Sequence, residues 1–220
     1  MTRIAAHRGG AALWPENSLL AFQSAIALGS DLLELDVHLT RDHTVAVIHD
    51  ATLERTTDGA GPIGDATAAD LRRLRLRGPG ATLTDEHVPT FDEVLAALAR
   101  AGLQARATVM AFNPEVIERV RALAPRARTT FLVSRGAIER AGARPEQSVD
   151  WAVAAGVTDL GVEYTLADER LVAAAHGAGL ALGVWTVNDE AEIRRMLDLG
   201  VDIVTSDRPD LARRLQRGGA

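Results

Sequence analysis

The feature that most constrains the fold is an alternation of helical and extended patterns from Phe91 to the end of the chain. Apolar residues recur there at helical spacing over segments of about ten residues, and short apolar runs separate these segments. Helices that alternate with strands in this way form βα units, whose strands lie parallel in one sheet. The sequence therefore predicts an α/β protein with a parallel sheet. This periodicity alone does not distinguish a closed barrel from an open sheet.

The alternation assigns most of the chain after residue 90 to a helix or a strand. The predicted strands are 107–111, 129–133, 158–163, 181–185 and 202–205. The predicted helices are 91–101, 114–124, 146–156, 168–178 and 189–199, with a last helix that begins at Pro209.

The pattern before residue 91 is less regular. It predicts a strand at 3–6, a helix that Asn17 or Ser18 caps, and strands at 31–37 and 45–48. The link between these last two strands is too short for a crossover helix, so they are expected to form a hairpin. Residues 51–90 are polar and rich in glycine and proline, with one helix capped by Thr67. We interpret this segment as a loop region over the mouth of the site.

Composition indicates an ordinary water-soluble protein. With 220 residues, of which 47% are apolar and 25% charged, the chain can form one domain, predicted to be 1–220. A net charge of −6 gives no reason to expect nucleic acid as a partner. No apolar run approaches the roughly 20 residues that span a membrane, and the sequence shows no signal peptide. Because cysteine is absent as well, we expect a cytoplasmic protein.

Four side chains capable of chemistry fall at the ends of short apolar runs: His7, Glu34, Asp36 and His49. Residues two apart in a strand point to the same face, so Glu34 and Asp36 are expected to lie side by side. Two adjacent carboxylates repel each other unless a cation lies between them, and their oxygens suit Mg²⁺ or Ca²⁺. Imidazoles beside such a divalent cation could donate and accept protons near neutral pH.

Longer blocks surround these residues and continue along nearly the whole chain. They are His7–Gly10, Pro15–Ser18, Glu34–Val37, Thr40–Asp42, His49–Asp50, Arg55–Thr57, Pro89–Leu95, Trp185–Asn188 and Gly200–Pro209. In sequence and in order they resemble the glycerophosphodiester phosphodiesterase family. The resemblance implies a TIM-type (β/α)₈ barrel, in which chemistry lies at the C-terminal ends of the strands.

The resemblance also implies an activity. The expected reaction is metal-dependent hydrolysis of glycerophosphodiesters to an alcohol and sn-glycerol 3-phosphate. The implied catalytic residues are His7 and His49, and the implied metal ligands are Glu34 and Asp36. The implied substrate-binding residues are Arg8, Glu16, Asn17 and Trp185.

Three of the four substrate-binding residues also have a purely structural interpretation. Arg8 could form a salt bridge, Asn17 could cap a helix, and Trp185 could pack in the barrel. Asp50, Asp202 and Asp207 fall in matched blocks and are interpreted as turn or cap residues. The other histidines lack a carboxylate at useful spacing and are interpreted as surface or structural groups: His38, His43, His87 and His176.

One internal block of the family is missing. The family has a strand with a Glu-x-Lys motif, and its helix, after the helix equivalent to 91–101. Here about five residues stand where a βα unit needs about 25, and the chain contains no lysine. The expected barrel is therefore one βα unit short or distorted, without the family's third metal carboxylate and phosphate-binding lysine. Glu163 could supply the third oxygen, and the strand at 45–48 could fill the vacant place in the sheet.

Two other functions remain open from the sequence. The missing block favours a catalytically impaired relative that binds a phosphate-bearing ligand or serves as a scaffold. A lyase-type reaction on lipid head groups would need an apolar landing surface, for which an aromatic content of 4% provides little. The expected partner is a small-molecule phosphodiester, and the sequence predicts no oligomeric state.

Overall fold

The computed structural model describes residues 1–102, 108–123, 125 and 128–218. Contacts between its Cα atoms divide the chain into two compact units. The first, here called the site unit, comprises residues 4–105 and 206–214. The second, the strand unit, comprises residues 1–3, 106–205 and 215–220.

The site unit contains short elements. Its strands are β1 (Arg3–Ala6), β2 (Leu32–Leu33), β3 (Val37–Leu39) and β4 (Val45–Val47), and its helices are α1 (Leu19–Leu28), α2 (Ala68–Leu71) and α3 (Phe91–Arg100). β1 and β2 pair in parallel, with Ala6 opposite Leu33. β3 and β4 form an antiparallel sheet of their own, with Val37 opposite Val47. The predicted hairpin is confirmed, but the expectation that residues 45–48 fill a vacant place in the parallel sheet is wrong.

The predicted strand 31–37 is interrupted after Leu33. Glu34 still donates its backbone N–H to the carbonyl of Ala6 at 3.0 Å, which extends the ladder by one bond. The backbone N–H of Asp36, however, is bound by the side-chain oxygen of Asn17 at 3.3 Å. Because a side chain competes with the ladder there, Glu34 and Asp36 lie in an irregular link and not on one strand.

Helix ends in the site unit follow the expected capping chemistry. The hydroxyl of Ser18 accepts the N–H of Ala21, and α1 ends at Gly29 with a left-handed φ of 86°. Thr67 and Thr90 each form a capping box, at the start of α2 and α3 respectively.

Residues 51–90 are more than a loop. Around α2 they bury a small apolar cluster together with residues of β4 and its end: Ala46, Ile48, Leu53, Ile63, Leu71, Leu76 and Val88. This cluster holds the segment in place without a regular sheet. Its predicted position over the mouth of the site stays a prediction.

The strand unit shows the predicted alternation. Its strands are β5 (Thr108–Ala111), β6 (Arg128–Val133), β7 (Asp159–Glu163), β8 (Ala181–Trp185) and β9 (Ile203–Ser206). They pair in parallel in chain order. The helices are α4 (Pro114–Leu123), α5 (Arg135–Ala141), α6 (Gln147–Ala155), α7 (Glu169–Gly177), α8 (Glu190–Leu199) and α9 (Pro209–Gly218), the last of which begins in the site unit.

The centre of the strand unit is apolar. Leu160, Val162, Leu182, Val184 and Val204 are fully buried on β7, β8 and β9. Strands buried on both faces read as continuous apolar runs, as these do. Arg3, which begins β1 but belongs to the strand unit, donates its N–H to the carbonyl of Asp202 in the same unit at 2.8 Å. None of the helices described is both long and apolar enough to cross a membrane.

Candidate active site

A tight turn after β1 fixes the first histidine. Arg8 has a φ of 52° and Gly9 a φ of 81°, both in the left-handed region. A Cβ at Gly9 would lie 2.7 Å from the Cβ of Ala21, so only glycine lets the turn pack against α1. The turn places the N–H of Arg8 3.1 Å from the carboxylate of Glu34, which accepts it.

An aspartate orients the imidazole of His7. Its Nδ1 lies 2.6 Å from Oδ1 of Asp207, so the carboxylate accepts the Nδ1 proton and leaves Nε2 for other partners. Nε2 lies 3.9 Å from Oε2 of Glu34. Burial favours the neutral ring, but the hydrogen bond that His7 donates to Asp207 and the charge of Glu34 outweigh it. The pKa of His7 is therefore raised above its ordinary value.

The two carboxylates that the sequence predicts as metal ligands are neighbours. Burial, and then repulsion by Asp36, raise the pKa of Glu34. Asp36 accepts a hydrogen bond from the amide of Asn17 at 3.1 Å, and its Oδ2 lies 3.2 Å from Nε of Arg8. That last contact is an ion pair without hydrogen-bond geometry, because Nε of Arg8 has no hydrogen-bond partner.

A row of charged groups joins these residues to the second histidine. Arg8 donates to Glu16 at 3.0 Å, and Glu16 in turn accepts two hydrogen bonds from Arg55 at 2.7 and 2.9 Å. Arg55 also binds both oxygens of Asp50, at 2.6 and 2.9 Å. Asp50 in turn accepts a hydrogen bond from Nδ1 of His49 at 2.6 Å. Each imidazole is thus held through Nδ1 by an aspartate.

These contacts shift the pKa values in the directions expected of paired charges. The hydrogen bonds from Arg55 and His49 hold the pKa of Asp50 far below its usual range. Burial opposes ionisation of Glu16, but Arg55 and Arg8 lower its pKa. Asp50 and Glu16 therefore remain ionised near neutral pH.

The donor set fits a hard cation in part. Glu34 and Asp36 offer oxygen atoms, and their mutual repulsion is what a bound divalent cation would relieve. Among the described residues, however, no group of three or more His, Cys, Asp or Glu side chains is arranged to hold a metal ion. The arrangement fits a cation held by two carboxylates, with water in its other positions.

Seven of the eight predicted site residues lie in the site unit, and the contacts above connect all seven. The eighth, Trp185, ends β8 in the strand unit and meets Phe112 edge to face at 5.6 Å between ring centroids. Its indole Nε1 is buried without a partner in the part of the chain that the structure describes. Glu163 also lies in the strand unit, where its carboxylate accepts the N–H of Arg135 at 3.1 Å.

Sequence reasoning missed three residues of the network. Asp50 and Asp207, interpreted as turn or cap residues, are the partners of the two histidines. Arg55 joins Glu16 to Asp50, although no role was predicted for it. The available signal was that all three residues fall in blocks that resemble the family: Asp50 in the block of His49, Arg55 in Arg55–Thr57 and Asp207 in Gly200–Pro209. His176 also has a carboxylate partner, Asp202 at 2.8 Å, contrary to the prediction.

Comparison with known proteins gives the family. The sequence pattern of the glycerophosphoryl diester phosphodiesterase family matches residues 7–105 and 97–211. The chain belongs to this family. It is 28% identical to a glycerophosphodiester phosphodiesterase of Caldanaerobacter subterraneus, over 251 aligned positions that cover 99% of both chains. Since 251 positions exceed the 220 residues of this chain, the alignment leaves gaps in it, as expected for a shortened member.

Solved structures agree with this membership. A glycerophosphodiester phosphodiesterase from Agrobacterium tumefaciens has 26% identity and a TM-score of 0.78, covering 97% of this chain and all of that one. A phosphodiesterase from Oleispira antarctica, solved with its product sn-glycerol-3-phosphate, has 23% identity and a TM-score of 0.84 over 98% of this chain and 96% of that one. The second likeness bears on the fold alone.

These likenesses confirm the fold class, an α/β barrel of the TIM type. Within the described residues, seven strands take part in parallel ladders: β1, β2 and β5 to β9. A complete barrel of this type has eight. The position of the missing family block falls mainly on residues 103–107, which lie outside the described residues.

Proposed function

We propose that this chain hydrolyses glycerophosphodiesters to an alcohol and sn-glycerol 3-phosphate, with His7 and His49 as the acid–base pair. Membership in a family of phosphoric diester hydrolases supports the reaction class. The observation that carries the assignment of residues is the pair of histidines. Each is bound through Nδ1 to an aspartate at 2.6 Å, and one network of hydrogen bonds and ion pairs links both to Glu34 and Asp36.

Each of the two steps of the reaction needs two proton transfers. The neighbouring hydroxyl of the glycerol part attacks phosphorus, and one imidazole Nε2 accepts the hydroxyl proton as the new P–O bond forms. The other imidazole donates a proton to the oxygen of the alcohol as its bond to phosphorus breaks. Water then opens the cyclic phosphate with the two roles exchanged, which returns both imidazoles to their starting states. Asp207 and Asp50 keep each ring in the tautomer that this exchange requires.

Other residues of the network bind and position. Glu34 and Asp36 would hold a divalent cation, Mg²⁺ or Ca²⁺. When bound, such an ion offsets the charge that grows on the phosphoryl oxygens. Arg8 lies beside this pair and would contact the same oxygens through its planar guanidinium. Asn17 fixes Asp36 through two hydrogen bonds: its amide N–H donates to the carboxylate of Asp36, and its amide oxygen accepts the backbone N–H of Asp36. We also propose Trp185, which ends β8, as a substrate-binding residue, the role that the resemblance to the family implies.

The test is hydrolysis of glycerophosphocholine by the purified chain. Choline release should require Mg²⁺ or Ca²⁺, should stop with EDTA, and should fall about 10²- to 10⁴-fold in His7→Ala and in His49→Ala. His43→Asn is the matched control, because His43 is another exposed histidine of the site unit and asparagine tolerates its φ of 60°. Activity that survives both alanine substitutions, in protein with an unchanged circular dichroism spectrum, would refute the assignment.

A second candidate is a phosphate-binding relative without turnover. Two observations favour it: the absence of a three-residue ligand group among the described residues, and the absence of lysine from the sequence. It predicts that calorimetry detects binding of sn-glycerol 3-phosphate while no choline is released at any cation concentration.

A further inference from the structure

A small cleft opens beside the network, within the site unit. Its volume is about 210 Å³, and its lining includes Trp14, Glu16, Arg55, Thr56, Arg77 and Ala81. This is below the roughly 300–1,000 Å³ of pockets that enclose drug-sized ligands, so it suits one small chemical group. The lining includes neither histidine of the pair and neither Glu34 nor Asp36. The cleft is therefore next to the proposed reacting groups and separate from them.

Arg77 brings an unbalanced positive charge to this cleft. Its backbone N–H binds the carbonyl of Thr56 at 2.8 Å, and its Nε binds the carbonyl of Thr57 at 2.9 Å. Among the described residues, no carboxylate forms an ion pair with its guanidinium, and the other hydrogen bond of that group is a long one to the carbonyl of Ala81 at 3.5 Å. Arg55, in contrast, is balanced by Glu16 and Asp50. The free N–H groups of Arg77 can only donate, so a ligand must bring acceptors.

Thr56 adds a second unsatisfied group. The residue is 4% exposed, and its hydroxyl has no hydrogen-bond partner among the described residues. A buried hydroxyl without a partner costs free energy, which a ligand that both donates and accepts would recover. Ala81, which also lines the cleft, has a φ of 61°, so the backbone at this position is strained.

Trp14 gives the cleft an apolar wall. Its ring is half-buried and packs against the turn after β1, where a Cβ at Gly10 would lie 3.0 Å from the ring. The flat face of an indole suits the C–H face of a ring-shaped polyol. A quaternary amine would also bind an indole face, but here it would meet the unbalanced charge of Arg77 and could satisfy neither Arg77 nor Thr56.

We propose that this cleft binds the alcohol part of the diester and selects a polyhydroxylated alcohol, such as inositol, over an amine such as choline. This inference rests on the proposed function, because it assigns the leaving group of that reaction. Glu16 connects the two sites: it lines the cleft and binds Arg8, which lies beside Asp36. A group bound in the cleft is thus adjacent to where the phosphate would lie.

The test compares kcat/KM for glycerophosphoinositol and glycerophosphocholine. The wild-type chain should prefer the inositol diester, and Arg77→Gln should lower the ratio of the two values about tenfold. Arg73→Gln is the matched control, because Arg73 lies in the same segment and its side chain is 79% exposed. It should leave the ratio within about twofold. A wild-type preference for choline, or an equal loss on both substrates in Arg77→Gln, would overturn the proposal.

The substitution Thr56→Val is expected to change stability and substrate preference in opposite directions, so it distinguishes an effect on binding from an effect on folding. Removal of a buried hydroxyl that lacks a partner should raise Tm by about 2–4 °C, while the preference for the inositol diester falls about threefold. A rise in Tm without a change in preference would count against the subsite.

If no diester is hydrolysed, the proposed function fails and the subsite is tested by binding alone. Calorimetry would then compare glycerophosphoinositol on the wild-type chain and on Arg77→Gln. Binding that weakens about tenfold in the variant supports the subsite, whereas the absence of binding to the wild-type chain overturns it.

Discussion

The central strands of the strand unit bury apolar side chains, and the buried Asp159 there is balanced by Arg128, whereas the site unit places two carboxylates, Glu34 and Asp36, next to each other. Leu160, Leu182 and Val204 are fully buried on neighbouring strands, in a parallel ladder that satisfies their backbone. In the site unit, Asn17 is 2% exposed, and the side chain of Glu34 is 11% exposed and faces Asp36. All four described non-glycine residues with positive φ lie in the site unit: Arg8, Asn17, His43 and Ala81.

This contrast suggests that the strand unit contributes mainly to stability, while the site unit holds the candidate functional residues. Left-handed backbone at non-glycine residues and buried like charges each cost free energy, and such costs gather at functional sites. A regular apolar sheet has no such costs and contributes stability through burial. Substitutions in the two units should therefore have different effects.

The largest effect on stability is expected in the strand unit. Leu182→Ala removes a fully buried side chain from β8 and leaves a cavity, so the free energy of unfolding should fall by about 3 kcal/mol in urea titration. The kcat of the folded fraction should stay unchanged. Leu20→Ala is the matched control in the site unit: its side chain is 42% exposed, and the loss should be below about 0.5 kcal/mol. Equal losses at both leucines would break the contrast.

The second effect should appear in activity and not in stability. Asp207→Asn replaces the acceptor of the Nδ1 proton of His7 by an amide that can donate, which favours the wrong tautomer. We expect kcat/KM to fall about 100-fold while Tm moves by only a few degrees. Asp198→Asn, at an exposed aspartate of the strand unit, should leave both values unchanged. A variant of Asp207 that unfolds without losing specific activity would show that the residue is structural.

The smallest effect concerns the pH dependence of stability at Glu93, a carboxylate that caps helix α3 and is not part of the network around the histidines. Burial opposes ionisation of Glu93, but hydrogen bonds from Thr90, together with Arg72, lower its pKa from 4.5. A lowered pKa in the folded state adds stability above the unfolded value, and this is lost as the pH falls through the folded pKa. Glu93→Gln keeps the capping box without the charge, so it should cost about 0.5–1 kcal/mol at pH 7 and progressively less as the pH is lowered from 4.5 to 2. A difference that is constant across this range would contradict the assignment to charge.

The sequence predicted what depends on neighbouring residues. The helix starts at Ser18 and Thr67 were predicted from side chains that bond to backbone three residues away. The strands of the strand unit follow from apolar runs of the right length. Helix α5 was missed because it has seven residues with one buried side chain, Ile138, which is too little for a periodic signal.

What the sequence did not predict depends on residues far apart in the chain. The break after Leu33 occurs because the side chain of Asn17, from another segment, takes the N–H of Asp36. The role of Asp207 depends on a contact across 200 positions, which no local pattern reports. The blocks that resemble the family contain Asn17, Asp36, His7 and Asp207, but the sequence does not show which of these residues contact each other.

The span between His7 and Asp207 has a consequence for synthesis of the protein on the ribosome. Translation supplies His7, Glu34, Asp36 and His49 close together, whereas the acceptor for the His7 ring follows 200 positions after that histidine. A nascent polypeptide that stalls before residue 207 would hold both imidazoles yet leave the ring of His7 without its acceptor. The orientation of that ring therefore waits until Asp207 has left the ribosome, whatever part of the molecule has folded by then.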